Sequence, residues 1–161
     1  SLYLEYNAKE AIMERVIVDF VRGQVNALAT YLEAPHANYC QAIKTMLTQQ
    51  FLAVYDHATA HTKGSYMTQQ AVQAMIQPNT ELEKLRAQPP ILIAQMLQKA
   101  AANQEILPQA DFTRAGRVIY LTVLRVAVPP YHPDVTRDVL AVWLEDLLTL
   151  LLAGLKVHQT V

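Results

Sequence analysis

Two histidines one helical turn apart are the first place in this chain to look for chemistry. His57 and His61 stand four residues apart, with Asp56 beside them, so on a helix they share a face. Zinc accepts such a pair, but structural zinc is closed by four ligands and catalytic zinc by three. No third ligand is evident, and histidines in a last helical turn also serve the negative end of the helix. The pair is therefore read as helix-end or pocket-edge histidines, with no metal. Glu33 and His36 have the Glu-x-x-His spacing of half a di-iron site. Such a site needs a second copy on another helix; the chain has none, and Pro35 puts this one in a loop. Gly-x-Ser-x-Gly, a Gly-rich phosphate loop and His-Glu-x-x-His are all absent. No catalytic residue and no cofactor is expected, and the chain is not read as an enzyme.

Binding chemistry is better represented. Met46, Met67, Met75 and Met96 are spread over the second to fifth segments. Methionine adapts its shape and is common on surfaces that accept varied ligands. Gln49, Gln50, Tyr55, Tyr66, Gln70 and Tyr120 would add a few polar groups to an apolar cavity, the usual makeup of a ligand pocket. Plain core packing is the competing reading for any one of these methionines. Cys40 is the only cysteine, so no internal disulfide is possible. It lies in a helical pattern beside Tyr39 and reads as a small buried thiol.

These residues must be positioned by helices. The chain has 161 residues, 52% apolar and 17% charged, which fits one globular domain with a real core. Only 4 glycines occur, and abundant Ala, Leu and Gln favour helices over tight β-turns. A net charge of −1 gives no global draw toward nucleic acid. No secretory signal is apparent. The most apolar stretch, Leu147 to Leu155, falls far short of the ~20 residues a membrane helix needs. A soluble, cytoplasmic, all-α protein is expected.

The periodicity predicts about six helices. The first runs from about Ala8 to Leu32, with Ile12, Val16, Phe20, Leu28 and Leu32 on one stripe. Asn7 and Glu10 make a capping-box pattern at its start, so an earlier helix is expected to end near Tyr6. The second helix runs from about His36 to His61, and a third from Thr68 to about Ile76. Thr80 with Glu83 repeats the capping-box pattern, and Pro89-Pro90 is expected to close that turn and start a helix from about Ile91 to Asn103. Asp111 caps a helix through about Val128; Pro133-Asp134 begins the last, to about Lys156.

That last helix is apolar on almost every side: Leu140, Val142, Trp143, Leu144, Leu147, Leu148, Leu150 and Leu151. A helix apolar all round is buried all round. In a small domain a second chain is the simplest cover, which predicts a helical dimer interface; a central core helix is the competing reading.

The opening segment SLYLEYNAKEAI contains Tyr3, Tyr6, Lys9 and Ile12 in the pattern Tyr-x-x-Tyr/Phe-x-x-Lys-x-x-Leu/Ile. This resembles the TetR family of bacterial regulators, where a recognition helix hands over to a long helix. The segments ILPQADFTRAGRVIYLTVL and VWLEDLLTLLLAGL resemble the helix pair that ends such proteins. The resemblance is specific at about residues 1–20 and 105–156. It implies that residues 1–7 are the remnant of a helix-turn-helix domain whose earlier helices lie outside this chain, and that 8–161 form a ligand-binding and dimerisation domain. It implies DNA-phosphate contacts from Tyr3 and Lys9; a lysine near a helix N-terminus would reinforce an anion site. It implies a small-molecule pocket lined by Met46, Gln50, Val54, Tyr55, Met67, Met75, Met96, Tyr120 and Leu124. It also implies a four-helix bundle across a homodimer, formed by Arg117, Leu121, Val139, Val142, Trp143, Asp146, Leu147 and Leu150.

The function so implied is a ligand-responsive transcriptional repressor. Its dimer would read two operator half-sites roughly 34–36 Å apart or a multiple of that. An apolar or amphiphilic effector would release DNA by preferring the conformation with the wrong spacing. The 161 residues themselves are expected to dimerise without binding an operator specifically. Three alternatives belong to other classes: a stand-alone helical small-molecule-binding module, a purely structural dimeric bundle, and a helical-bundle metalloenzyme.

Overall fold

Asparagine and aspartate side chains set where most of the helices begin. The computed structural model describes residues 1–60, 79–127 and 135–156, and within them the chain is all-helical, with five helices and no strand. These are α1 (Leu2–Glu33), α2 (Tyr39–Ala60), α3 (Thr80–Ala102), α4 (Phe112–Ala127) and α5 (Arg137–Gly154). The Asn38 carboxamide oxygen accepts the Gln41 N–H at 2.7 Å to start α2. Asn79 accepts the Leu82 N–H at 2.9 Å to start α3, and Asp111 accepts the Arg114 N–H at 2.9 Å to start α4. Each satisfies a first-turn donor that has no partner within the helix. The expected third helix, Thr68 to Ile76, and the expected start at Pro133-Asp134 lie outside the described residues.

Three sequence expectations are corrected. First, α1 does not begin at Ala8: it is capped by Ser1 and runs unbroken from Leu2 to Glu33, so no helix start lies at Asn7. Asparagine costs little inside a helix, whereas a second start would repeat the unfavourable nucleation step. Second, the cap of α3 is Asn79 and not Thr80. Third, Pro89-Pro90 does not divide two helices but lies inside α3. Proline already has a helical φ; its cost is the missing N–H, here leaving the Leu85 and Arg86 carbonyls without their i+4 donors.

The helices form layers whose directions follow from their contacts. Gln50 on α2 donates to the Gln24 carbonyl on α1 at 2.6 Å, and the His57 and Phe20 rings stack at 4.4 Å, so α2 runs antiparallel to α1. Glu14 meets Asn79 and Leu32 meets Lys99, so α1 and α3 run parallel. Lys44–Glu145 at 3.4 Å and Asp56–Arg137 at 2.9 Å set α5 antiparallel to α2.

The apolar residues gather in two clusters. The larger joins Leu32, Ile43, Leu47, Phe51, Ile93, Met96, Leu97, Ile119, Val123, Leu144 and Leu148, from all five helices. The smaller holds Val18 and Val25 of α1 against Leu82 and Leu85 of α3. Each fully buried leucine contributes about 1.5–3 kcal/mol relative to exposure.

The α3–α4 turn fixes how the larger cluster closes. The Gln104 and Glu105 N–H groups donate to the Ala101 and Ala100 carbonyls at 3.0 and 2.9 Å, the Schellman pattern. Gln104 sits at φ 60°, in the left-handed region. The turn aims Glu105 at the start of α2.

Candidate functional site

Four of the nine residues expected to line a pocket belong to or pack against the larger cluster. Met96 is fully buried within the larger cluster, and Tyr55, Tyr120 and Leu124 pack against it, half-buried. Met46 and Gln50 are buried on α2, and Val54 is half-buried. Met67 and Met75 lie outside the described residues.

Two of the polar groups already have partners. The Gln50 amide donates to the α1 backbone at Gln24. The Tyr55 hydroxyl donates to the Val135 carbonyl at 2.9 Å, just before α5. These bonds tie α2 to α1 and to the start of α5. Any ligand using those atoms would have to displace backbone acceptors.

Two residues at this place were not singled out from the sequence. Phe51 tilts against Tyr120, with ring centroids 6.1 Å apart. Arg86 is half-buried and lies on the inward stripe Leu82, Arg86, Pro89, Ile93 of α3. Burial lowers the Arg86 pKa, opposed by Tyr120 and Glu83; burial raises that of the Tyr120 phenol, with Arg86 opposing. The spacing of Arg86, four after Leu82 and three before Pro89, was the available signal.

The residues expected at a dimer interface lie on an outer face of α4 and α5. Within α5, Leu140, Leu144, Leu148 and Leu152 are buried at every fourth position. The opposite face carries Val139, Val142, Trp143, Asp146 and Leu150, all exposed, with Val142 at 58% and Leu150 at 73%. On α4, Arg117, Val118 and Leu121 are exposed, Leu121 at 51%. Leu147 is half-buried and packs on the chain's own core. The chain thus buries one side of α5, and the stripe 139, 143, 146, 150 keeps the four-three-four spacing of a coiled-coil seam. The exposed charges of α4 are Arg114, Arg117 and Arg125, and those of α5 are Asp138, Glu145 and Asp146 with Arg137 at its start, paired with Asp56.

The expected DNA-contact end is altered by the unbroken first helix. Tyr3 lies in the first turn of α1, and Lys9 is exposed two turns in. Lys9 is therefore not at a helix N-terminus, and the helix-end reinforcement expected for it there is absent. Of the histidine pair, His57 stacks on Phe20 and His61 lies outside the described residues. Among the described residues no group of three or more His, Cys, Asp or Glu side chains could hold a metal, and no helix is long and apolar enough to cross a membrane.

Glu105 forms a polar joint between the end of α3 and the start of α2. Its carboxylate accepts the Tyr39 and Cys40 N–H groups, each at 2.9 Å, and the Asn103 amide at 2.7 Å. Burial alone would raise the Glu105 carboxyl, but hydrogen bonds from Asn103, Cys40 and Tyr39 outweigh it and hold the pKa below the ordinary value. Cys40 is buried beside it, and burial followed by the Glu105 charge pushes the thiol up to about 11. A thiol so raised is a packing group, not a nucleophile.

Compared with protein-family models, with curated proteins and with solved structures, the chain matches none.

Proposed function

We propose that this chain is the ligand-binding and dimerisation part of a ligand-responsive DNA-binding transcriptional regulator of the TetR type, acting as a repressor that a small molecule releases from its operator. The observation that carries this reading is the outer face of α4 and α5. An exposed stripe with coiled-coil spacing, apolar at Val139, Trp143 and Leu150 and acidic at Asp146, is suited to a second copy in a symmetric four-helix arrangement. Met96, with Tyr55, Tyr120 and Leu124 packed at the same cluster, supports an apolar or amphiphilic effector. In this reading residues 1–7 belong to the DNA-binding unit, Tyr3 and Lys9 meet phosphates, and the protein works in the cytoplasm.

Effector binding changes operator affinity only through its differential affinity for two dimer geometries. The test is retardation of promoter DNA by the protein expressed from its complete reading frame, with apolar amphiphiles added in turn. Specific retardation that one compound reverses is expected. A dimer that binds a compound but never retards DNA would refute the regulatory reading.

A second reading, a dimeric helical binding module without a DNA reader, is favoured by one observation. Helix α1 passes Asn7 without a break, whereas a handover between a reader and a sensor was expected there. Compound binding without DNA retardation would select this second reading.

A further inference from the structure

We infer that α3 is a hinged helix, bent about Pro89-Pro90, whose first arm moves with α1 while its second arm stays fixed in the main core. The inference does not depend on the regulatory reading. Three observations meet at one place. The two apolar clusters divide α3 by position: Leu82 and Leu85 belong to the small cluster with Val18 and Val25, whereas Ile93, Met96, Leu97 and Ala100 belong to the large one. The tandem prolines lie between these two sets, inside the helix. They remove two successive i→i−4 hydrogen bonds where the helix passes from one cluster to the other, and proline is among the few established causes of helix bending. Finally, α4 braces the second arm at the same level: a Cβ on Gly116 would stand 2.5 Å from the Pro90 carbonyl oxygen and 2.9 Å from the Ala94 nitrogen. So close a backbone contact makes a fulcrum.

The first arm is tied to α1. Glu81 pairs with Arg22 and, at 3.6 Å, with Arg15. Asn79 donates to Glu14. Toward α4 the facing pair is Arg86 and Tyr120. Toward α2, α1 presents the Phe20–His57 stack and the Gln50–Gln24 bond. The far ends are held: Lys99 donates to the Leu32 carbonyl at 3.1 Å, and Leu32 lies in the large cluster. The moving body is thus α1 up to about Asn26 with residues 79–88, pivoting about Pro90–Gly116 and the Leu32 end.

Paired spin labels test this in the whole chain, in a Cys40→Ala background, with labelled protein diluted into unlabelled protein. Labels at exposed Gln49 and Lys84 span the two bodies; Gln49 with Gln98 stays within the main core; Asn26 with Lys84 stays within the moving body. The 49–84 distance distribution should be about twice as broad as the other two. In Pro89→Ala/Pro90→Ala, which restores both N–H donors, it should narrow to match them. A 49–84 distribution as narrow as 49–98 in the native prolines overturns the hinge, and this comparison stands even if the proline variant does not fold. Unchanged breadth in a folded double variant overturns the role of the prolines. Glu81→Gln should broaden 26–84 and leave 49–98 alone; broadening of 49–98 instead would contradict a moving body tied by Glu81.

Discussion

Gly116 touches the backbone of α3 where Pro90 lies: an added Cβ would stand 2.5 Å from the Pro90 carbonyl oxygen. Backbone cannot swing aside as a flexible side chain can. Gly116→Ala should therefore push α4 off α3 and destabilise the protein by about 1–3 kcal/mol, the usual range for overpacking, despite alanine's better helix propensity. Urea unfolding checks this; Gly23→Ala, at a site with nothing within 4 Å of the added Cβ, should stabilise by about 0.5–1 kcal/mol.

Glu105 caps α2 from the far side of the α3 turn, and its removal should be felt there. Glu105→Ala should cost about 0.5–2 kcal/mol at neutral pH, as loss of a cap does. The folded carboxyl titrates below its ordinary value of 4.5, so its contribution is present above that value and disappears as the pH falls through the lower folded pKa. The gap in urea midpoint between wild type and Glu105→Ala should hold near pH 7 and close progressively below about pH 4.5.

Gln104 occupies a left-handed conformation at φ 60° that non-glycine residues adopt at a cost of about 1–2 kcal/mol. Gln104→Gly should thus raise stability by roughly 1 kcal/mol, less the greater entropy of glycine in the unfolded chain. A rise in melting temperature without loss of helical signal is the expected outcome.

Cys40 should resist alkylation. With its thiol raised to about 11 by burial and by Glu105, almost no thiolate exists at pH 8. Iodoacetamide should modify the native chain at least about 100-fold more slowly than the urea-unfolded chain. Glu105→Ala should speed the native reaction.

Much of this architecture could be read from the sequence, and the misses share a cause. Asp111 declares its helix because its side chain acts within three residues, and the buried leucines of α5 declare theirs by period. The prolines misled because local preference predicts a helix start at Pro89-Pro90, whereas the burial of Pro89 and the approach of Gly116 hold the helix through them. Asn7 misled similarly: a capping box is only a preference, and a helix already begun at Ser1 continues past it. Of the candidate site, the helices that carry Met96, Tyr55 and Tyr120 were legible, but helical periodicity alone does not fix which face lines a pocket. The bonds from Gln50 and Tyr55 to distant backbone carbonyls could not be foreseen, since their acceptors are 26 and 80 residues away. Arg86 is half-buried on an inward stripe, a place that its charge alone does not predict.

Sedimentation velocity of the whole chain tests the outer α4–α5 face most directly. The account predicts a species of twice the 18.1 kDa chain mass at micromolar concentration. It predicts a monomer of unchanged helical content for Val142→Asp/Leu150→Asp, both sites being exposed on one chain. A wild-type monomer up to about 100 μM, where a dimer weaker than roughly −5.5 kcal/mol would escape detection, would contradict it, as would a dimer that survives both substitutions.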